Sequence, residues 1–283
     1  MDPVPDRTSD LENLGALADL LRHRETVLLT GAGCSTESGI PDYRGPATRD
    51  THPEPITYAE FIDSAETRRR YWARAMVGWP RFAAADPNAA HQAMAQLEES
   101  GHATGVITQN VDTLHRQAGS QTVVDLHGRL ADVRCLDCDR LFDRGAIQAE
   151  LHRRNPERVG ERAELRPDGD AHLPEEAPQG FDFPACPDCT GVLKPDVVFF
   201  GESVADDVVD AAFRLLDRSE ALLVVGSSLE VWSSYRFVRR AAERHMPVGI
   251  VNLGETRGDE EAWLKVEALV GEAMPALVDR LDV

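Results

Sequence analysis

The chain has 283 residues and a formal net charge of -19, from 49 Asp and Glu against 30 Lys and Arg. That balance argues against a general nucleic-acid or anionic-membrane binder, and no apolar run is long enough to span a bilayer. The length and an apolar fraction of 42% fit one large domain, or one large domain with a small one. The N-terminal stretch MDPVPDRTSD is acidic and Pro-rich. It has neither the apolar core of a signal peptide nor the composition of a transit peptide, so a cytoplasmic protein is expected. Lys194 and Lys265 are the only lysines; the rest of the positive charge is arginine, a compositional habit.

In chain order, Leu14, Leu17, Leu20 and Leu21 recur at helical spacing after Ser9 and Glu12, which together suggest a capping box. A helix over 10–23 is expected. Val27-Leu28-Leu29 is a buried strand within 26–30. It stops in the turn Thr30-Gly31-Ala32-Gly33-Cys34-Ser35-Thr36. Glycines there permit a tight turn and let backbone N–H groups approach a phosphate. A strand, a Gly-rich turn and a helix form the cradle for a pyrophosphate in doubly wound α/β domains. The dehydrogenase fingerprint is incomplete, because Thr36 holds the place of the third glycine and no ribose-gripping acid follows a second strand; Asp50 and Glu54 fall in a Pro-rich stretch. The segment 46–56, with Pro46, Pro53 and Pro55, suits a loop over the ligand.

Helices are expected at 57–64 and 66–78, and another, opened by Pro87-Asn88, over 91–100. A second strand spans 103–108 and ends in Gln109-Asn110-Val111-Asp112. A short helix over 114–118, closed by Gly119, leads to a third strand, 123–126, which delivers His127-Gly128. Residues 130–195 form an inserted unit, and the charged, Pro-rich stretch 150–183 is a surface excursion within it. Alternation resumes with a helix over 207–219, a strand over 221–225, the turn Gly226-Ser227-Ser228, a helix over 231–244, a strand over 248–251, the turn Asn252-Leu253-Gly254 and a closing helix over 268–281. The expected fold is α/β: a Rossmann-like doubly wound parallel sheet from 10–129 and 195–283, with a smaller zinc-binding module from 130–194. A helical part of the small domain comes from 46–80.

Four of the five cysteines form two CxxC pairs, Cys135/Cys138 and Cys186/Cys189. In a reducing compartment such pairs indicate a closed tetrathiolate zinc site, structural rather than catalytic. The metal would supply folding energy to a module too small for its own core. Cys34 stands alone in the Gly-rich turn, either a buried filler or a reactive thiol. Gln109, Asn110, Asp112 and His127 all fall at strand ends on one rim of the sheet, where open α/β sheets bind ligands. A histidine there can take a proton from a hydroxyl, and Asn110 and Asp112 can hold a water or a ribose.

GAGCSTESGIPDYRG, TQNVDTLHRQAGS, LHG, the two CxxC pairs, LKPDVVFFGE, GSSLEV and VNLG occur in the order found in sirtuins. The chain resembles these NAD-dependent protein-lysine deacylases over roughly 12–280. RRRYWARAMVGWPRF and the long segment between the cysteine pairs are most similar to class II, the mitochondrial lipoamidase and ADP-ribosyltransferase type. The resemblance implies that Gly31, Ala32, Gly33 and Ser35 cradle the NAD pyrophosphate, and that Asp42, Tyr43 and Arg44 belong to the cofactor loop. Ile40 and Asp42 would line the nicotinamide pocket. Gln109, Asn110, Val111 and Asp112 would surround the nicotinamide ribose, and His127 would be the base. Gly226, Ser227, Ser228, Asn252, Leu253 and Gly254 would hold the adenosine half, with Val270 as the adenine wall. Val198, Phe200 and Glu202 would lie along the acyl-lysine channel and its peptide-pairing strand, with Phe199-Phe200 shielding the reacting ribose from water.

The implied chemistry is glycosidic. Nicotinamide leaves the ribose, the acyl oxygen attacks C1′ to give an alkylimidate, His127 activates a ribose hydroxyl, and water releases lysine and O-acyl-ADP-ribose. Tyr71 and Arg74, three apart on one helix face, match a Tyr/Arg pair that binds carboxylated acyl groups in related enzymes; lipoyl or other long chains, and a merely solvated arginine, are the alternatives. Expected partners are acyl-lysine proteins or peptides, with no nucleic acid and no membrane. Competing readings are a protein mono-ADP-ribosyltransferase using the same NAD cleavage, a non-catalytic NAD or ADP-ribose sensor, and an ordinary dehydrogenase.

Overall fold

The computed structural model describes residues 7–43, 55–174 and 179–282, with side chains described from residue 13 onward. The helix α1 (Arg7–His23) leads into the strand β1 (Thr26–Thr30). There follow α2 (Tyr58–Asp63), α3 (Ala65–Phe82), α4 (Ala89–Glu99), β2 (Ala103–Thr108), α5 (Leu114–Ala118) and β3 (Val123–Asp125). The middle of the chain holds β4 (Gly128–Cys135), β5 (Leu141–Asp143), α6 (Arg144–Arg154) and β6 (Leu193–Val197). The C-terminal part is α7 (Asp206–Asp217), β7 (Ala221–Val225), α8 (Trp232–Glu243), β8 (Val248–Val251), β9 (Leu264–Val266) and α9 (Val270–Leu281).

Six strands form one sheet in the order β3-β2-β1-β7-β8-β9, every neighbouring pair parallel. Period-two alternation splits each central strand between two cores. Leu28, Val106, Leu223, Val225 and Val251 face α1, α4 and α9, while Val27, Leu29, Ile107, Leu222 and Val224 face α7 and α8. Burial on both faces is why these strands are continuous apolar runs. The chain winds outward from β1 to β3, then restarts at β7 on the other side of β1, so strand order reverses between β1 and β7.

The second sheet, β5-β4-β6, is antiparallel. Its core is not its own. Val133, Cys135, Ile147, Leu151, Phe181, Cys186 and Leu193 pack with Phe61, Tyr71, Trp72 and Met76 from α2 and α3. The inserted module therefore has a joint core with the helices after β1, and metal is not its sole source of folding energy. Sequence-based boundaries for β1, β2, α5, β7 and β8 match the structure. The helix α1 starts two residues before Ser9, which places Ser9 inside it rather than at its cap. No α-helix follows β1; the turn continues into two short 3-10 segments, Ala32–Cys34 and Thr36–Ser38. The expected loop over 46–56 lies mostly outside the described residues.

The stretch 150–183 departs most from expectation. It begins in the last turns of α6 and returns inward. Leu165 bridges Ala171, Arg166 N–H donates to the Asp170 carbonyl at 2.7 Å, and Ala171 N–H donates to the Arg74 carbonyl at 3.1 Å. Leu165, Arg166, Asp170 and Ala171 are buried. This approach needs Gly78 in the middle of α3, because a Cβ there would stand 2.3 Å from the Gly169 carbonyl oxygen. Gly78→Ala should therefore lower the free energy of unfolding by about 1–3 kcal/mol, as overpacking does. Gly15→Ala in α1, with nothing within 4 Å of its added Cβ, should instead raise stability by roughly 0.5–1 kcal/mol. Parallel urea melts of the two variants check the contrast.

Candidate active site

A cavity of about 1150 Å³ opens along the C-terminal ends of β1, β2 and β7 and runs to the second sheet. Its floor is the strand-order reversal, where open α/β sheets place ligands. Two turns meet there. Gly31 N–H donates to the Val225 carbonyl at 3.2 Å and Gly33 N–H to the Gly226 carbonyl at 2.9 Å. A Cβ on Gly33 would lie 2.8 Å from the Gly226 oxygen, and one on Gly226, at φ +60°, would lie 2.6 Å from the Cys34 nitrogen. The glycines thus let one turn lie directly on the other.

Above this floor the polar side chains form one network. Ser35 donates to Asp112 Oδ2 at 2.7 Å, Asn110 Nδ2 donates to Ser35 Oγ at 3.0 Å, and Gln109 Nε2 donates to Ser227 Oγ at 2.8 Å. Asp112 Oδ1 caps α5 by accepting from Leu114 N–H at 2.9 Å. Burial pushes the Asp112 carboxyl up, against the pull of Ser35 and Leu114. Beneath it, Asn110 N–H donates to Thr108 Oγ1, which also accepts from Thr30; Thr30 in turn lies 2.9 Å from His115 Nε2. Because Thr30 Oγ1 gives its own proton to Thr108, the histidine donates. This buried chain fixes the backbone at Asn110.

His127 stands at the end of β3, half-buried, with Nδ1 3.1 Å from the Gln109 carbonyl and Nε2 2.8 Å from Ser233 Oγ. A carbonyl only accepts, so Nδ1 carries the proton and Nε2 presents its lone pair. Burial lowers its pKa to about 4, Arg236 adding to the effect and Gln109 opposing it. The ring is a neutral base at physiological pH.

Toward the second sheet the cavity is lined by Ile56, Tyr71, Phe82, Leu130, Val197 and Phe199, together with Asp168 and Asp170. Asp170 is pushed well up by burial and by Asp168, with Arg74 and Arg144 pulling against that shift. Phe199 packs edge-on against Phe61 and lies 5.5 Å from the Tyr71 ring. Val198 N–H donates to the His127 carbonyl at 2.9 Å, and Phe200 bridges Thr57. Glu202 accepts from Phe199 N–H at 2.8 Å and pairs with Lys194 at 3.0 Å, so it braces this segment.

The thiols of Cys135, Cys138, Cys186 and Cys189 all lie within 4.8 Å of one another. The two knuckles match. Asp139 N–H donates to the Cys135 carbonyl, and Thr190 N–H to that of Cys186, with Asp139 at φ +61° and Thr190 at φ +63°. Four sulfurs so gathered are the donor set of a closed structural zinc.

The Sir2 family profile matches residues 31–233. The chain belongs to the Sir2 family. A curated relative from Xanthomonas axonopodis pv. citri, an NAD-dependent protein deacetylase, is 50% identical over 90% of this chain and 87% of its own length. The Bos taurus mitochondrial NAD-dependent protein lipoamidase sirtuin-4 is 44% identical over 98% of this chain and 87% of its own. A solved Sir2 complex with p53 peptide and NAD+ is 32% identical, with TM-score 0.73, and covers 93% of this chain and 96% of its own.

In this sirtuin nearly all the expected residues share the one cavity. Gly31, Ala32, Gly33, Ser35, Ile40, Asp42, Tyr43, the run Gln109 to Asp112, His127, Val198, Phe200, Glu202, Gly226 to Ser228, and Asn252 to Gly254 line it. Two do not, and Arg44 lies outside the described residues. Val270 is the first residue of α9 and is buried in the core with α1 and α4, so it forms no part of the cavity wall. Arg74 is buried, does not line the cavity, and has Nη2 3.4 Å from Asp170 Oδ2. Tyr71, its expected partner, is in the wall. Cys34 is a filler: it is 1% exposed, burial pushes its thiol far up, and its sulfur donates to the Val225 carbonyl.

Sequence reasoning missed Ser233 and Arg236, both in the cavity wall at the start of α8. They sit in an expected helix with no motif to mark them. It also missed Asp168 and Asp170, for which a glycine inside α3 was the available signal. No helix among the described residues is long and apolar enough to cross a membrane. Metal analysis should find one zinc per chain. Stripping it with a chelator, or Cys138→Ser, should lower the melting temperature and expose the core shared with α3, read as loss of near-UV signal from Trp72 and Trp79.

Proposed function

We propose that this chain is an NAD-dependent protein-lysine deacylase. The observation that carries the proposal is a neutral histidine whose Nε2 lone pair, met at rest by the Ser233 hydroxyl, faces the same cavity as the Gly31–Gly33 turn. The cavity fits the co-substrate. Its volume exceeds that of an ordinary small-molecule pocket, its floor is a glycine turn closed by backbone contact, and three buried polar side chains edge the space where a ribose would sit. Gly31 to Ser35 with Gly226 to Ser228 would hold the pyrophosphate and Asn252 to Gly254 the adenosine end. Asn110 and Asp112 would hold the nicotinamide ribose. When bound, NAD supplies an electrophilic ribose carbon once nicotinamide departs.

The chain's own part is to place a proton acceptor and keep water out. Nε2 of His127 takes the proton of a ribose hydroxyl, and the Nδ1–H bond to the Gln109 carbonyl stabilises the imidazolium that forms. Asp112 is held in place by Ser35 and Leu114, and Asn110 by Thr108 and Ser35, so these groups are oriented before substrate arrives. Phe199 and Phe200 give the acyl-lysine channel an apolar wall. The relatives' deacetylase and lipoamidase activities support the same assignment. A non-catalytic sensor would need the cradle alone and not an unprotonated histidine beside it, and a dehydrogenase would not need the peptide channel and would want the third glycine and the ribose-gripping acid that this chain lacks. Protein ADP-ribosylation shares the NAD cleavage, and labelled NAD with candidate acceptors separates it.

For the acyl group, the channel favours uncharged chains. A carboxylated acyl chain would bring a third acid group against Asp168 and Asp170, while Arg74 is engaged by Asp170 and stands outside the lining. The apolar wall of Ile56, Tyr71, Phe82 and Leu130 instead suits aliphatic chains up to lipoyl size.

His127→Ala should cut steady-state nicotinamide release about 10²–10⁴-fold, the range for general-base loss, with NAD affinity by calorimetry nearly unchanged. Undiminished turnover would remove the base assignment. In a panel of acetyl, succinyl, glutaryl and lipoyl peptides, kcat/KM should be higher for the uncharged acyl groups. Asp168→Asn should narrow that gap; a succinyl or glutaryl preference in the unaltered enzyme would overturn the acyl assignment.

A further inference from the structure

His127 has two hydrogen-bonding edges, and both are occupied. Nδ1–H is committed to the Gln109 carbonyl at 3.1 Å. The lone pair on Nε2 lies 2.8 Å from the hydroxyl of Ser233, second residue of α8. With Nδ1 protonated and the ring neutral, Ser233 must be the donor. Ser233 is itself held in place: Arg236, one turn on, donates from Nε to its carbonyl at 3.1 Å. All three residues line the cavity.

We infer that Ser233 is a positioning residue for the base: its hydroxyl holds His127 in the Nδ1–H form and occupies the lone pair that a ribose hydroxyl must reach. The proposal rests on the deacylase reading for its kinetic consequence, but not for the hydrogen bond itself. An imidazole nitrogen accepts one in-plane hydrogen bond, so Ser233 and the substrate hydroxyl compete for it. The serine must swing away as the ribose arrives, and until then it keeps the resting ring from flipping its tautomer.

The charge around the ring is mixed. Asp112 after β2, Glu202 before α7, Asp206 in α7, Glu230 before α8 and Arg236 in α8 line the same cavity. Of these, Arg236 is the one whose charge shifts the ring, and it shifts it toward the neutral form. The first turn of α8 adds its dipole in the same sense. Ser233 works against both, because its hydroxyl turns to accept from Nε2–H once the ring is protonated, a charge-assisted bond stronger than the one it donates to neutral imidazole.

The sign follows. Removing the hydroxyl withdraws more from protonated His127 than from the neutral ring, so its protonation midpoint falls. Ser233→Ala should lower that midpoint by about half to one pH unit, read by NMR titration of the ring and assigned by the signal missing in His127→Gln. The acidic limb of the kcat/KM profile for an acyl peptide should move down in pH by the same amount, while the melting temperature barely changes. Ser233→Thr, which keeps the hydroxyl, should restore both. Ser233→Cys, a weaker acceptor, should fall between and serves if the alanine variant folds poorly.

Nitrogen shifts of the unaltered enzyme should show Nδ1 protonated. An Nε2-protonated ring, or a midpoint unmoved in Ser233→Ala, would overturn the inference. The deacylase reading fails separately. In that case no acyl peptide turns over in the unaltered enzyme, while the ring titration still responds to Ser233.

Discussion

The structure depends on two turns touching at the place where strand order reverses. The Gly31–Gly33 turn after β1 and the Gly226 turn after β7 approach so closely that a single methyl on Gly33 or Gly226 would enter the other's backbone. Parallel neighbours deliver both turns to one edge of the sheet, and the twist between β1 and β7 opens the crevice above them. Every polar group of the site is then fixed relative to that contact. Gln109 reaches Ser227 across it, Ser35 continues from the first turn to Asp112 and Asn110, and Gln109 receives His127 through its carbonyl. Moving either turn would shift the ribose-facing groups and the base together.

The same contact explains why the glycine pattern departs from the dinucleotide fingerprint. In a dehydrogenase the third glycine lets a helix pack tightly on its strand, and an acid at the end of the next strand grips the ribose. Here no α-helix follows β1. The chain turns twice in 3-10 form and then leaves the sheet to build α2, α3 and α4 before returning as β2. Thr36 is tolerated because no close helix–strand packing is needed there; its hydroxyl donates to the Gly33 carbonyl instead. Asn110 and Asp112, proposed to face the ribose, are placed by the long excursion far along the sequence and beside Ser35 in space. An incomplete dehydrogenase motif thus goes with a different path of the chain after β1, and it accords with the proposed chemistry, in which the ribose carbon stays open to an incoming acyl oxygen.

How legible each part was follows from where its signal lies. Central strands buried on both faces announce themselves as apolar runs, so β1, β2, β7 and β8 could be bounded closely from the sequence. The paired CxxC spacing carried the thiolate cluster, because four sulfurs at matched knuckles need little context. The strands β4, β5, β6 and β9 carry mixed residues, since each is covered on one side or lies at an edge. The segment 165–171 was illegible for a further reason. Its charges and prolines look like solvent-exposed chain, and only its partner surface shows that Arg74, Arg144 and Asp170 are buried together. Gly78, a poor helix former in mid-helix, was the one local trace of that contact. Val270 shows the opposite failure: a position assigned by resemblance at the weak end of the match belongs to the core.

The buried charges beside the acyl channel set a constraint that the rest of the site does not share. Arg144 is almost wholly enclosed, stacked on Trp72 and Trp79 and bonded to Gln148 and the Ala75 carbonyl. Arg74 and Asp170 lie against each other nearby with little solvent. Such groups cost desolvation that pairing only offsets in good geometry, and their retention at the channel end is unnecessary for holding NAD. On the acyl reading proposed above, their effect falls on what enters from that side, where an apolar chain leaves the pairing intact and a new carboxylate disturbs it. At the other end of the cavity His127 meets Ser233 and feels the charge of Arg236, both from α8. The two ends of the cavity are thus built from separate elements, one from the 165–171 segment and α3, the other from α8, with the touching glycine turns between them as the common reference.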